Sequence, residues 1–348
     1  MHTISASQAE WAANEFINYY EQFNTIEDYY RLIKGERILS YTASLWGPED
    51  DIFHKFDMSP EDMEFSIEVI EDKPSRWTNN NFTELLHYTT SNPIQDSIPG
   101  RCIKWLVVEK NTQTVVGMLR FGSPTSRSRP RNQHFEKVWD MKDINDNFVM
   151  GFNIVPTQPF GYNYLGGKLV CLLGCSTLLK EQWDEKYGTD IKYFETTSLY
   201  GSTKGVSMYD GLKPYLRYIG DSESDLVPLL HDDKFLTMFR WFNDKVGEPI
   251  VPLDASGRKL KASQKMIAII KRCLPKDKVE SFNNCITHAK SLTQKKRTYL
   301  GDFRHSVDDA ITWWKKKATK RYEKLKSEGR LRTQVEIWDG KQNIEIIR

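Results

Sequence analysis

Phe148-Val149-Met150-Gly151-Phe152-Asn153-Ile154-Val155, then Gln158-Pro159-Phe160-Gly161-Tyr162-Asn163-Tyr164-Leu165-Gly166-Gly167-Lys168, then Ile191-Lys192-Tyr193-Phe194-Glu195-Thr196-Thr197: this succession decides the fold. The first run is rich in β-branched and aromatic residues and is stopped by Pro156, which predicts a strand. The glycine-rich turn opens a helix from about Leu165 to Tyr187, with Leu169, Leu172, Leu173 and Leu179 as core candidates and Gly188 at C′. The third run predicts the next strand. Strand, turn, helix and strand form a βαβ unit, whose two strands are expected to be parallel neighbours that splay at their C-terminal ends.

Working outward, Ile103–Glu109 and Thr114–Phe121 flank Lys110-Asn111-Thr112-Gln113 and predict a hairpin. Ser123–Arg131 reads as a basic loop. The first 80 residues read as helices: Ser7-Gln8-Ala9-Glu10 forms a capping box, and Ser59-Pro60-Glu61-Asp62 caps a helix ending near Lys73-Pro74. Beyond Asp254 the chain reads as helical and basic. A helix capped by Ser306-Val307-Asp308-Asp309 carries its acids early and Lys315 to Lys326 late, in keeping with the helix dipole. Gly329 ends it, and Thr333–Trp338 and Lys341–Ile347 around Asp339-Gly340 predict a terminal hairpin.

A chain of 348 residues suits one enlarged domain or two. With 17 Phe, 16 Tyr and 10 Trp it can fill a sizeable core. Five cysteines without regular spacing fit a reducing compartment rather than a disulfide framework. No leader pattern or membrane-length apolar run is evident, so a soluble, cytoplasmic protein without a membrane partner is expected. The net charge of +2 conceals an asymmetry: residues 1–100 carry 6 Lys+Arg against 18 Asp+Glu, and residues 255–348 carry 24 against 10. Two readings follow: acidic and basic faces that attract each other within the molecule, or a basic module for nucleic acid.

Several constellations could carry chemistry. Backbone N–H groups uncovered by glycines at a helix start can hold a pyrophosphate, which singles out Gln158, Gly161, Tyr162, Gly166, Gly167 and Lys168. A mobile turn or close helix–sheet packing explains the glycines equally well. His87 and Tyr88 form a pair before the first sheet strands: His87 suits proton abstraction near neutral pH or a structural place, and Tyr88 a hydrogen bond or stacking. Tyr209, after Gly205-Val206-Ser207-Met208, reads as a core aromatic, and Glu195 and Ser198 mark a strand end. Cys171 and Cys175 share a helix face without a completing ligand pair, so no metal site is expected. For nucleic acid, Arg127, Arg129 and Arg131 in one loop compete with Trp313, Lys315, Lys316 and Lys317 in the tail helix, whose tryptophans could also be its buried face.

From Leu86 to Gly220 this order resembles the GNAT acyltransferase superfamily, and within it the branch containing the phage Mom DNA-modification proteins and the anti-phage DruA proteins. The resemblance implies an α+β fold with a GNAT-like central mixed sheet flanked by helices. It implies a catalytic core at 81–225, preceded by an acidic helical segment at 1–80. A basic helical segment at 226–332 and a hairpin at 333–348 would follow. It further implies acetyl-CoA or another acyl-CoA held by Gln158, Gly161 and the following glycines, with His87 as base or positioner and Tyr209 as acid across a single cleft. The spacing of the glycines departs from the family pattern, and Leu199-Tyr200-Gly201 stands where many relatives carry Asp-Pro. The activity implied is Mom-like transfer to a nucleobase amine in DNA, protecting phage DNA from restriction. A protein, tRNA or small-amine acceptor is one alternative. A non-catalytic nucleic-acid-binding protein of phage defence or counter-defence is the other.

Overall fold

The computed structural model describes residues 2–41, 48–71, 76–90, 94, 100–199, 205–225, 229–252, 254–255 and 258–337. The chain divides into two compact units, Met1–Ile33 with Glu223–Gln294 and Lys34–Ser222 with Lys295–Arg348. These cut across the four consecutive segments expected from the sequence, because the N-terminal helix folds with part of the basic region and the last helix folds with the sheet.

The larger unit is built on one seven-stranded sheet. In chain order its strands are β1 (Phe65–Val69), β2 (Cys102–Glu109), β3 (Thr114–Gly122), β4 (Phe148–Pro156), β5 (Tyr193–Ser198), β6 (Leu216–Asp225) and β7 (Thr293–Gly301). They lie in the order β1-β2-β3-β4-β5-β7-β6. β1 to β4 pair antiparallel in sequence, β4 and β5 pair parallel, and β7 is antiparallel to β5. The expected parallel neighbours are present. Two strands depart from expectation. β1 lies where a helix is predicted, because Phe65-Ser66-Ile67-Glu68-Val69 pairs along β2. β7 contains Lys295, Lys296 and Arg297, which the sequence places in a basic helical tail.

α1 (Ala6–Tyr20) and α2 (Ile26–Tyr41) come first in the chain, and α3 (Asn79–Thr89) covers one face of the sheet. Its Phe82, Leu85 and Leu86 pack on Leu106, Val108, Val115 and Met118. The opposite face carries Trp105, Val107, Val116, Leu119, Phe121, Val149, Ile154 and Phe194 under the βαβ crossover. That crossover is not one helix. After α4 (Arg129–His134) and α5 (Met141–Asn147) before β4, the chain forms α6 (Phe160–Tyr164), α7 (Gly166–Gly174) and α8 (Thr177–Tyr187). The break comes at Cys175-Ser176, where Ser176 Oγ donates back to the Leu173 carbonyl at 2.7 Å and Thr177 N–H donates instead to the His305 carbonyl at 2.9 Å. α7 lies very close to β3. A Cβ on Gly117 would sit 2.3 Å from Val170 Cγ2, and one on Gly174 would sit 2.5 Å from Leu119 Cδ2.

The smaller unit contains α1, α9 (Asp232–Val246), α10 (Arg258–Cys273) and α11 (Lys276–Ser291). α1 begins at a capping box of Ser5 with Gln8, two residues before the expected one. Ala9, Ala12, Ala13 and Phe16 are buried on α1, and Phe16 meets Phe282 of α11 edge to face at 6.0 Å. Glu10 pairs with Lys278 at 3.9 Å, and Glu15 pairs with Lys234. The attraction of acidic and basic segments within one molecule therefore operates in this unit.

α12 (Val307–Ser327) belongs to the larger unit and buries Ala310, Trp314, Ala318, Tyr322 and Leu325. Trp314 Nε1 donates to the Tyr164 carbonyl at 2.8 Å. Of the predicted terminal hairpin, residues 338–348 lie outside the described residues. Before them, Glu336 N–H donates to the Gln158 carbonyl at 3.0 Å. No helix among the described residues is long and apolar enough to cross a membrane.

Candidate active site at the opening between β4 and β5

The parallel ladder between β4 and β5 runs from Phe148↔Tyr193 to Gly151↔Thr196 and stops there, although β4 continues to Pro156 and β5 to Ser198. The cause lies on the other edge of β4. Arg120 of β3 faces Asn153 while Phe121 faces Gly151, so Phe152 is an extra residue, a β-bulge. A bulge bends its strand and ends regular pairing, and this one parts β4 from β5 in the middle of the sheet.

Tyr209 stands at this point. It is buried beside Thr196, whose Oγ1 donates to the Gly151 carbonyl at 2.9 Å, and its ring meets Tyr299 edge to face at 5.3 Å. The phenol therefore lies at the last residue pair of the ladder. Burial holds its proton on well above the ordinary tyrosine value. Its loop is fixed by Asp210, which accepts from Ser207 N–H at 3.0 Å and from the Tyr299 hydroxyl at 2.8 Å and pairs with Arg297 at 3.0 Å. Burial works against the Asp210 carboxylate, but these partners hold its carboxyl below the usual value. Lys168 of α7 donates to the Asp210 carbonyl at 2.5 Å, which ties the helix to the same loop.

His87 is not brought to Tyr209. α3 lies on the face of Leu106 and Met118, whereas Tyr209 belongs to the cluster of Trp105 and Leu119 on the other face. The single cleft expected for this pair is overturned, because neighbouring side chains of a strand point to opposite faces. His87 is 1 % exposed, and its carbonyl accepts from the Lys34 side chain, whose pKa burial lowers to about 7. Tyr88 is half-buried, and burial raises its phenol above the ordinary value.

Glu195 also points away from Tyr209. Its carboxylate pairs with Arg131 at 3.1 Å, both side chains being almost wholly buried. Arg131 donates a second bond to the Thr125 carbonyl at 2.8 Å and lies over the Phe148 ring. Expected on a nucleic-acid surface, it is instead an internal residue of α4. Arg127 and Arg129 of the same stretch are exposed, and Ser198 lies half-buried at the end of β5.

The glycine-rich turn is packed by its own side chains. Cβ atoms would lie 2.4 Å from Gln158 Nε2 at Gly161, 2.4 Å from Phe160 at Gly166 and 2.9 Å from Met208 Cε at Gly167. Gln158 Oε1 accepts from Tyr162 N–H at 3.2 Å. The guanidinium groups of Arg321 and Arg332 lie over the Tyr162 ring, 4.8 and 4.2 Å from its centre. Gln158 and Gly161 thus do not fit a diphosphate cradle, since side chains already fill that concavity. The first turn of α7 is buried as well: Leu165, its N-cap at φ 56°, makes no side-chain cap bond, Lys168 is taken up by the Asp210 carbonyl, and Arg321 Nε donates to the Tyr162 carbonyl at 3.3 Å.

In the tail helix, Lys316 and Lys317 are exposed, Trp313 is half-buried beneath Lys317, and Lys315 donates to the Glu61 carbonyl at 2.7 Å. Among the described residues no group of three or more His, Cys, Asp or Glu is placed to hold a metal ion. Cys171 and Cys175 are core residues. Sequence reasoning assigned no role to Thr196, Arg120, Asn153 or Thr298, whose positions follow from strand register alone.

The family model described as Druantia protein DruA matches residues 43–206, from before β1 to just beyond β5. The match takes in the bulge, the opening and the turn before α7, and ends short of Tyr209, β7 and α12. No curated protein and no solved structure matches the chain.

Proposed function

We propose that this chain serves a phage-defence system as an acyl-type transferase acting on an amine of a nucleic acid, with the opening between β4 and β5 as its active site. The likeness to DruA supports defence, in preference to the protection of phage DNA that a Mom-like activity would imply. The strand order β1-β2-β3-β4-β5-β7-β6, with one parallel pair parted by a bulge, supports the GNAT-like reading. The observation that carries the activity is Tyr209 buried at the end of the ladder, beside Thr196 and its bond to the Gly151 carbonyl.

An acyl thioester would supply an electrophilic carbonyl carbon and a thiolate leaving group. Gln158 and Gly161 would not hold its diphosphate, because side chains fill that concavity. As the amine nitrogen bonds to the carbonyl carbon and the C–S bond breaks, Tyr209, whose proton burial retains, would give that proton to the departing thiolate, and the proton shed by the amine would restore the phenol. His87 takes no part in this scheme.

Calorimetry with acetyl-CoA tests donor binding, and mass spectrometry of nucleosides from cells expressing the chain tests transfer. Binding with a new modified nucleoside is the expected result. Tyr209→Phe should lower the modification roughly 10²–10⁴-fold, the usual worth of a general acid, while leaving the thermal melt little changed. Absence of any heat with acetyl-CoA would end the acyl-transfer reading and favour a non-catalytic nucleic-acid-binding role.

A further inference from the structure

The face of the sheet under α3 carries an unusual row. Lys104 of β2 faces Arg120 of β3, which faces Asn153 of β4; beyond the opening, Thr197 of β5 faces Thr298 of β7. Register places all five on one face. Arg120 is two residues from Met118, which α3 covers, and Thr197 and Thr298 have the parity of Glu195, opposite to that of Thr196 beside Tyr209. Central strands normally fill such positions with apolar side chains. Arg120 and Thr298 are nevertheless only 3 % and 1 % exposed.

The bulge puts Asn153 in this row. With Phe152 as the extra residue, Gly151 and Ile154 face the α7 side, where their neighbours are Phe194 and the α7-side core. A regular strand would have turned Asn153 to that side as well. Beyond the point where the ladder stops, the α3 face carries Phe152, whose ring packs at Gly122, and then Asn153 on β4, and Thr197 on β5.

Asn153 Oδ1 and Thr298 Oγ1 are buried without any hydrogen bond. Leaving such an atom unmatched is costly, so a pair of them in one row, at a break in the sheet, calls for an explanation. One is an acceptor and the other a donor or acceptor, and between them lies the opening to Tyr209.

We infer that this row is the acceptor side of the site, and that Asn153 and Thr298 read the hydrogen-bonding edge of a nucleobase brought to the opening from the α3 face. The inference rests on the proposed transfer to a nucleic-acid amine and names where and how that amine is recognised. The chemistry favours a base over an alkyl amine. Strands spaced about 4.7–4.9 Å apart present carboxamide, guanidinium and hydroxyl groups in a line, which suits a planar edge of alternating donors and acceptors. An alkylammonium would need a carboxylate, and the Glu195 carboxylate on this face is already paired with Arg131. A duplex base would have to leave its stack to arrive here.

The experiment measures binding of the full chain to oligo(dA), oligo(dC) and an abasic sugar-phosphate oligomer of equal length, by fluorescence anisotropy at one salt concentration. The base-bearing oligomers should bind roughly 10-fold or more tightly than the abasic one, the discrimination expected of good base-edge contacts. Asn153→Ala and Thr298→Val should erase that preference while leaving abasic affinity unchanged, and Thr298→Ser should keep it. Should Asn153→Ala fail to fold, the Thr298→Val and Thr298→Ser pair decides, since valine keeps the shape and serine the hydroxyl. Equal binding of abasic and base-bearing oligomers overturns the inference. So does a preference that survives in Thr298→Val, or a chain that binds no oligomer. Failure of the transferase reading shows separately, as absence of heat with acetyl-CoA.

Discussion

Arg131 and Arg129 are two positions apart in one basic stretch, yet one is wholly buried and the other exposed. Local composition cannot separate them. The difference arises because the Glu195 carboxylate arrives from a strand 64 positions away and supplies the countercharge. Lys34 illustrates the opposite case, a cation buried against the His87 carbonyl. Burial lowers its pKa to about 7, whereas an ordinary lysine titrates at 10.5. Between these values the unfolded chain binds more protons, so stability should rise with pH across that window, and the destabilisation should be complete below it. Lys34→Met should therefore stabilise the protein at neutral pH and flatten the rise. Thermal melts from pH 6 to 10 check this, and an unchanged slope would count against it.

The elements show how β4 and its crossover helix make the site. The bulge at Phe152 parts β4 from β5 and turns Asn153 to the α3 face, while Gly117 and Gly174 let α7 lie close on β3. Gly117→Ala should cost about 1–3 kcal/mol, as overpacking does, because the new methyl would meet the stiff, β-branched Val170. Adding Val170→Ala should recover part of the loss, and urea unfolding of the double variant measures how much. Additive losses would mean that this packing does not set the spacing. The βαβ unit itself was legible in Phe148–Val155, the glycine turn and Ile191–Thr197, since period and punctuation are local signals. The bulge was not, because it depends on what β3 opposes. β1 and β7 escaped detection for a related reason: short or charged runs become strands when a neighbour supplies the ladder.

Across the whole molecule, the charge asymmetry has two destinations. Part of it is absorbed in the smaller unit, where Glu10 and Glu15 meet Lys278 and Lys234. Another part remains exposed on α12, where Lys316, Lys317 and Lys320 face solvent while Lys315 binds the Glu61 carbonyl. If nucleic acid is the partner, replacing Lys316, Lys317 and Lys320 with Gln should flatten the dependence of log affinity on log salt, by about 0.7–0.9 for each phosphate that is no longer neutralised. The melting temperature should stay within a degree or so, since exposed charges contribute little to stability. An electrophoretic shift titration at several salt concentrations checks the slope. An unchanged slope would remove α12 from the interface.

By itself the sequence determined the class of fold, the parallel pair, the cap of α12 and the presence of a tyrosine near the end of the crossover, because each depends on neighbours within a few residues or on regular spacing. It also held the amphipathic faces that decide which side of α3 and α12 is buried. Only the tertiary structure decided which polar residues meet. It set His87 and Tyr209 on opposite faces, closed Glu195 on Arg131, filled the glycine turn with Gln158, Phe160 and Met208, and aligned Asn153 with Arg120 and Thr197 with Thr298. Strand register has a period of two, so one inserted residue reverses a face. That reversal depends on hydrogen bonds between segments far apart in the chain, which no local pattern encodes.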